Sequence, residues 1–122
     1  MSVSRQRLGK HGESLAKRHL ESMGYRVLKT NHWSPSGEID LVTEKAGTLV
    51  FVEVRTRTGA SFGPPEESVT VKKREHLVAA AQEYMQATGA EGREWRIDQV
   101  AIVMGRGGRI ERLDVLPNAV EL

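Results

Sequence analysis

Cysteine is absent from the 122 residues, so disulfides, thiolate zinc sites and cysteine nucleophiles are excluded together. Any metal has to be held by oxygen or imidazole ligands. Long apolar runs are missing too: no stretch approaches the length needed to cross a bilayer. The basic start Met1-Ser2-Val3-Ser4-Arg5-Gln6-Arg7-Leu8 also lacks the apolar segment of a secretory signal. A cytoplasmic protein with no membrane contact is therefore expected. Histidines are few and unpatterned, since His11, His19, His32 and His76 form neither an HxxxH pair nor an HExxH motif. Gly105-Arg106-Gly107-Gly108 lacks the following Lys-Ser/Thr of a phosphate loop, and a hairpin turn accounts for it. With no internal repeat, low-complexity tract or linker, one domain over residues 1–122 is the simplest organisation.

What is present is charge of both signs. Eighteen Lys and Arg nearly cancel sixteen acids, so the net charge of +2 identifies no partner by itself. The cations cluster locally as Arg5, Arg7 and Lys10, as Lys17 and Arg18, as Arg55 and Arg57, and as Lys72, Lys73 and Arg74. These clusters form a phosphate-binding footprint if the fold gathers them on one face, and solvated surface if it does not.

Helical spacing of Leu8, Gly12, Leu15, Ala16, His19, Leu20 and Met23, with Gly24 as a stop, predicts a first helix over residues 8–23. A strand over 25–31 follows, then a loop over 32–37 carrying Ser34-Pro35-Ser36-Gly37 turn chemistry. Two strands around Asp40 and Glu53 come next, joined by a turn on Lys45-Ala46-Gly47-Thr48. Residues 58–67, with Gly59, Gly63, Pro64 and Pro65, predict a flexible or functional loop. A second helix is expected over 71–88, capped by Thr70 and Gly89, with Leu77, Ala80, Ala81 and Tyr84 on its core stripe. Strands over 94–104 and 109–116 complete the order α-β-β-β-α-β-β. That order predicts an α/β fold with a single mixed sheet flanked by helices.

The anomaly in this pattern is one acid in each of two apolar runs: Asp40 in Glu38-Ile39-Asp40-Leu41-Val42 and Glu53 in Val50-Phe51-Val52-Glu53-Val54-Arg55. If the hairpin places Glu44 opposite Leu49, antiparallel pairing puts Asp40 opposite Glu53. Two like charges facing each other there repel, so something positive should lie between them, either a divalent cation or a nearby Arg or Lys. Alternation along the strand projects Glu53, Arg55 and Arg57 from one face. Two acids and a cation at a strand end are the parts that metal-dependent phosphodiester cleavage needs.

Asp40 followed by Glu53-Val54-Arg55 resembles the PD-(D/E)XK nuclease motif. Further matching segments are Gly9-Lys10-His11-Gly12-Glu13 with Ala16, Asn31 with Gly37-Glu38-Ile39-Asp40-Leu41, Phe51-Val52-Glu53-Val54-Arg55-Thr56-Arg57, and Phe62-Gly63. Together, over nearly the whole chain, they resemble the YraN-type family of bacterial proteins, predicted endonucleases distantly related to archaeal Holliday junction resolvases. The resemblance implies a restriction endonuclease-like core and an endonuclease dependent on Mg²⁺ or Mn²⁺. It implies Asp40 and Glu53 as metal ligands, with the Val54 carbonyl as a third, and Glu13 approaching from the first helix. DNA, including branched DNA, would be the partner, and a two-fold homodimer the assembly, with no interface legible in the sequence.

Arg55 departs from the motif, which has lysine there. Arginine keeps the charge and binds phosphate bidentately, but it cannot act as a general base at neutral pH. Lys72 or Lys73 can replace the motif lysine from the neighbouring helix, or both merely solvate that helix start. Arg57, Lys72 and Lys73 are the expected nucleic-acid contacts. The rival to an enzyme is a nucleic-acid-binding module that keeps the nuclease fold without turnover; a third reading makes the acids and arginines a structural ion-pair network. Asp98 is read as structural, and isolated tryptophans such as Trp33 and Trp95 are more often packing residues than stacking platforms.

Overall fold

A computed structural model describes residues 5–58 and 70–119, with side chains from residue 9 onward. Its elements are α1 (Arg5–Ser22), β1 (Arg26–Ser34), β2 (Gly37–Lys45), β3 (Thr48–Thr58), α2 (Val71–Thr88), β4 (Trp95–Met104) and β5 (Ile110–Leu116). The predicted order α-β-β-β-α-β-β holds, and the strands form one five-stranded sheet in the order β1-β2-β3-β4-β5. β3 and β4 run parallel, joined through α2, while the other neighbours are antiparallel.

Both helices end as their glycines dictate. Gly24 at φ 93° and Gly89 at φ 70° take the left-handed conformation. The amides that follow then bond back into the last turn, Tyr25 N to Leu20 O at 3.0 Å and Ala90 N to Met85 O at 2.8 Å. At the start of α2 the Thr70 hydroxyl accepts a hydrogen bond from Lys73 N at 3.1 Å. The β2–β3 turn places Ala46 and Gly47 at positive φ, the two-residue hairpin turn that matches strand twist. It fixes the anticipated register, with Glu44 opposite Leu49 and Leu41 opposite Val52.

The sheet separates two apolar layers. Ala16 and Leu20 of α1 pack on Leu41, Val50, Val52, Val100 and Ile102, whereas Leu77, Ala80, Ala81 and Met85 of α2 pack on Ile39, Val42, Leu49, Phe51 and Ile97. Met85, rather than Tyr84, completes the buried stripe of α2, and Tyr84 lies at its margin. Met23, expected on the α1 stripe, lies beyond the helix end and is exposed.

β1 is longer than its sequence suggests, reaching Ser34, so the expected loop over 32–37 shrinks to a turn at Pro35 and Ser36. Tertiary contacts account for the difference. His32 sits edge-on to Tyr84 at 5.1 Å, and Ser36 donates from N and Oγ to the Glu83 carboxylate at 3.1 and 2.7 Å. The predicted loop over 58–67 falls, beyond Thr58, outside the described residues.

Gly12 sets how closely α1 approaches the sheet. A Cβ at this position would lie 2.0 Å from Thr56 Oγ1 and 3.2 Å from Thr56 Cβ. Gly12→Ala is therefore expected to destabilise the fold by about 1–3 kcal/mol, the usual cost of overpacking. Urea unfolding checks this, and adding Thr56→Ala to the same chain should recover part of the loss.

Candidate functional site

The site forms where β2 leaves β3. Backbone pairing between them ends at Leu41 and Val52, and the next partner of β3 on this side is a side chain: Asp40 Oδ2 accepts from Val54 N at 2.7 Å. Alternation along β2 breaks at the same point, because Ile39 packs in the α2 layer and Leu41, two residues on, in the α1 layer. Across from it on β1, between the pairs Thr30–Leu41 and His32–Ile39, Asn31 adopts φ 49°. Asp40 thus sits at an irregularity that turns its carboxylate into the seam between diverging strands.

Three further acids converge on it. Glu13 of α1, Glu38 and Asp40 bring one carboxylate oxygen each within 4.8 Å of one another. Glu53 of β3 lies on the α2 side of the sheet, 4% exposed, with Lys73 Nζ of α2 at 3.2 Å from its Oε1. Burial, then the Glu53 charge, then Glu13 and Glu38 push the Asp40 carboxyl up to about 8, against the opposing hydrogen bond from Val54. Glu13 is raised as well, first by burial and then by Glu38 and Glu53, while a hydrogen bond with Asn31 and the charge of Lys10 oppose the shift.

This electrostatic arrangement has a measurable consequence. Asp40 is protonated up to about pH 8 in the folded chain but releases its proton near its ordinary value of 3.8 when unfolded. Between those values the folded state holds the extra proton, so stability falls as pH rises. Asp40's stabilising share is complete below about pH 4 and is lost as pH climbs through 8. In chelator-containing buffer the melting temperature should drop between pH 5 and pH 8.5, and Asp40→Asn should flatten that slope.

A hard divalent cation would relieve the same repulsion with every carboxylate ionised, and oxygen donors are what such ions select. Glu13, Glu38 and Asp40 fit that donor chemistry, with Glu53 alongside. A cleft of about 240 Å³ opens next to Glu13, between α1 and β1, and Lys10 and Lys17 line it.

Of the residues singled out in the sequence, Glu13, Asp40 and Glu53 come into mutual electrostatic reach. Arg55 stands two residues beyond Glu53 on β3, half-buried, and Arg57 follows it on the same strand. Lys73 reaches the site, whereas Lys72 is exposed on α2. Glu38 was not among the candidates, although strand parity with Asp40 was a usable signal. Gln99 had no local signal at all: it enters because parallel β3–β4 pairing sets it in register with Glu53, buried at 3% exposure, its Nε2 without a hydrogen-bond partner among the described residues. Asp98 is structural, as expected, fully buried and accepting from Tyr25 Oη, Arg96 Nε and Asn118 N, each at 3.0 Å.

The family described as uncharacterised protein family UPF0102 matches residues 12–102. The chain belongs to the UPF0102 family. It is 42% identical to a UPF0102 protein of Pelotomaculum thermopropionicum over 119 residues, covering 98% of this chain and 99% of that one. A relative from Moorella thermoacetica is 40% identical with the same coverage. One from Roseiflexus castenholzii is 43% identical over 122 residues, covering 99% of this chain and 98% of that one. Every acid of the candidate site described above, together with Lys73 and Gln99, lies inside the matched segment. No helix among the described residues is long and apolar enough to cross a membrane.

Proposed function

We propose that this UPF0102 chain is a nuclease dependent on Mg²⁺ or Mn²⁺ that hydrolyses phosphodiester bonds in DNA, acting in the cytoplasm. The observation that carries the reading is the convergence of Glu13, Glu38 and Asp40 within 4.8 Å, beside a buried Glu53 paired with Lys73. Glu13, Glu38 and Asp40 would hold the cation, with Glu53 next to them. A bound divalent cation supplies Lewis-acid chemistry, acidifying water and neutralising charge on a phosphodiester. The chain's own part is positional and electrostatic. The Val54 amide fixes the Asp40 carboxylate, so this donor is preorganised rather than mobile. Glu53 holds the Lys73 ammonium at the site, where it can bear on negative charge that builds up on phosphate. Lys10 and Lys17 offer phosphate contacts along the adjoining cleft.

The test is a cleavage panel of the full chain against linear, branched and single-stranded DNA and RNA. Cutting is expected with Mg²⁺ or Mn²⁺ and not with chelator. Arg55 at the motif's lysine position favours a second reading, a nucleic-acid-binding module without turnover. That reading predicts salt-sensitive binding and no product with either metal. A two-fold dimer presenting two such centres is the assembly proposed for the enzyme, and sedimentation of the purified chain tests it.

A further inference from the structure

The two tryptophans, indistinguishable in sequence, have opposite environments. Trp95 packs edge-on to Phe51 at 5.9 Å, while Trp33 is 71% exposed. Solitary exposed apolar side chains are common and imply nothing by themselves. Trp33 differs in its neighbours. It lies on β1, which closes one edge of the sheet, and its ladder partner is Glu38. Side chains of directly paired residues share a face with Cβ atoms about 5 Å apart, so Trp33 projects from the same face as Glu38, a member of the acidic cluster. Asn31, two residues earlier on β1, hydrogen-bonds Glu13 of that cluster, and the Lys10–Lys17 cleft opens alongside.

From this placement we infer that Trp33 is a base-stacking platform, and that the substrate presents an unpaired nucleobase next to the phosphate held at the acidic cluster. The inference rests on the nuclease reading for the identity of that phosphate. An aromatic ring stacks on any base whose face is free. In continuous duplex both faces of every base are already covered, so a duplex cannot use Trp33 without unstacking. Single strands, flaps and frayed or branched ends can. Acids repel the phosphate backbone, and a ring beside them offers an uncharged contact that compensates while selecting for an exposed base.

Binding of fluorescently labelled oligothymidylate and of a blunt duplex of equal length, measured by anisotropy in chelator, tests the platform without cleavage. Trp33→Ala should weaken oligothymidylate binding about tenfold or more and leave duplex binding within about twofold, with Trp33→Phe intermediate. Oligothymidylate should also quench wild-type tryptophan emission, and the quench should vanish in Trp33→Ala, since Trp95 is packed against Phe51. Trp33→Ala is expected to melt like wild type. Equal weakening on both ligands, as a self-association contact would give, overturns the inference, and so does unchanged or undetectable oligothymidylate binding. The two failures are separable: a chain that cuts no nucleic acid with either metal yet loses stacking in Trp33→Ala sinks the nuclease and keeps the platform. Cleavage with binding indifferent to Trp33 does the reverse.

Discussion

Asp40→Ala and Asp40→Asn are both expected to lower cleavage in Mg²⁺ or Mn²⁺ by about a thousandfold or more, the scale on which metal and electrostatic stabilisation act in phosphodiester hydrolysis. The two variants separate charge from structure. Alanine leaves the Val54 amide without the acceptor that Asp40 Oδ2 provides, an expected cost of about 1–3 kcal/mol if no water replaces it. Asparagine keeps an acceptor oxygen and removes only the charge that Glu13, Glu38 and Glu53 oppose. Asp40→Asn should therefore fold at least as well as wild type at pH 8 and still fail to cut. DNA affinity in chelator should be unchanged in both below about pH 8, where Asp40 is already neutral, and should hold or rise above it, where a negative charge facing phosphate has gone while the cations remain. Glu53→Ala should likewise lose cleavage. Cutting by Asp40→Asn within about tenfold of wild type would remove Asp40 from the reaction, since loss of a central metal ligand is expected to cost far more.

Several parts of this candidate site are legible in the sequence, and the reasons are local. The Ala46-Gly47 turn sets the β2–β3 register as far as Leu41 and Val52; the pairing expected next, Asp40 opposite Glu53, does not form, and the Asp40 side chain accepts from Val54 N instead. Thr70 and Gly89 bound α2 through caps readable from residue type. The choice between Lys72 and Lys73 was also latent in helical arithmetic. Lys73 stands four residues before Leu77 and shares its buried face, whereas Lys72 is rotated away by one residue. What could not be read depends on contacts distant in sequence. The reach of β1 to Ser34 follows from α2 supplying Tyr84 and Glu83. Gln99 meets Glu53 only through the parallel pairing of β3 with β4. Strand parity also misleads locally, because the irregularity at Asn31 and Asp40 sends Ile39 and Leu41 to opposite layers. The exposure of Trp33 is likewise a property of its edge position, not of its residue type.

Lys73→Met should reduce cleavage by about a hundredfold or more, while Lys72→Met should stay within a few-fold of wild type. Lys73 places its ammonium 3.2 Å from Glu53, whereas Lys72 is exposed. Methionine keeps the apolar stem and removes the charge, but it also leaves the buried Glu53 without its counter-ion, and that alone can destabilise the fold. Lys73→Arg restores the charge, so it separates the two effects. Recovered stability with recovered cleavage means Lys73 acts as a fixed positive charge. Recovered stability without cleavage means the reaction uses a proton that lysine can exchange and arginine cannot. Arg55 completes the comparison, because Arg55→Lys restores the motif lysine and should retain or raise activity, whereas Arg55→Ala should impair it. If Lys73 has taken over the motif lysine's role, Arg55→Lys will not rescue Lys73→Met. Rescue would return that role to position 55. If the wild-type chain binds DNA but cuts nothing with either metal, and Arg55→Lys stays silent, turnover is absent and the chain is the binding module.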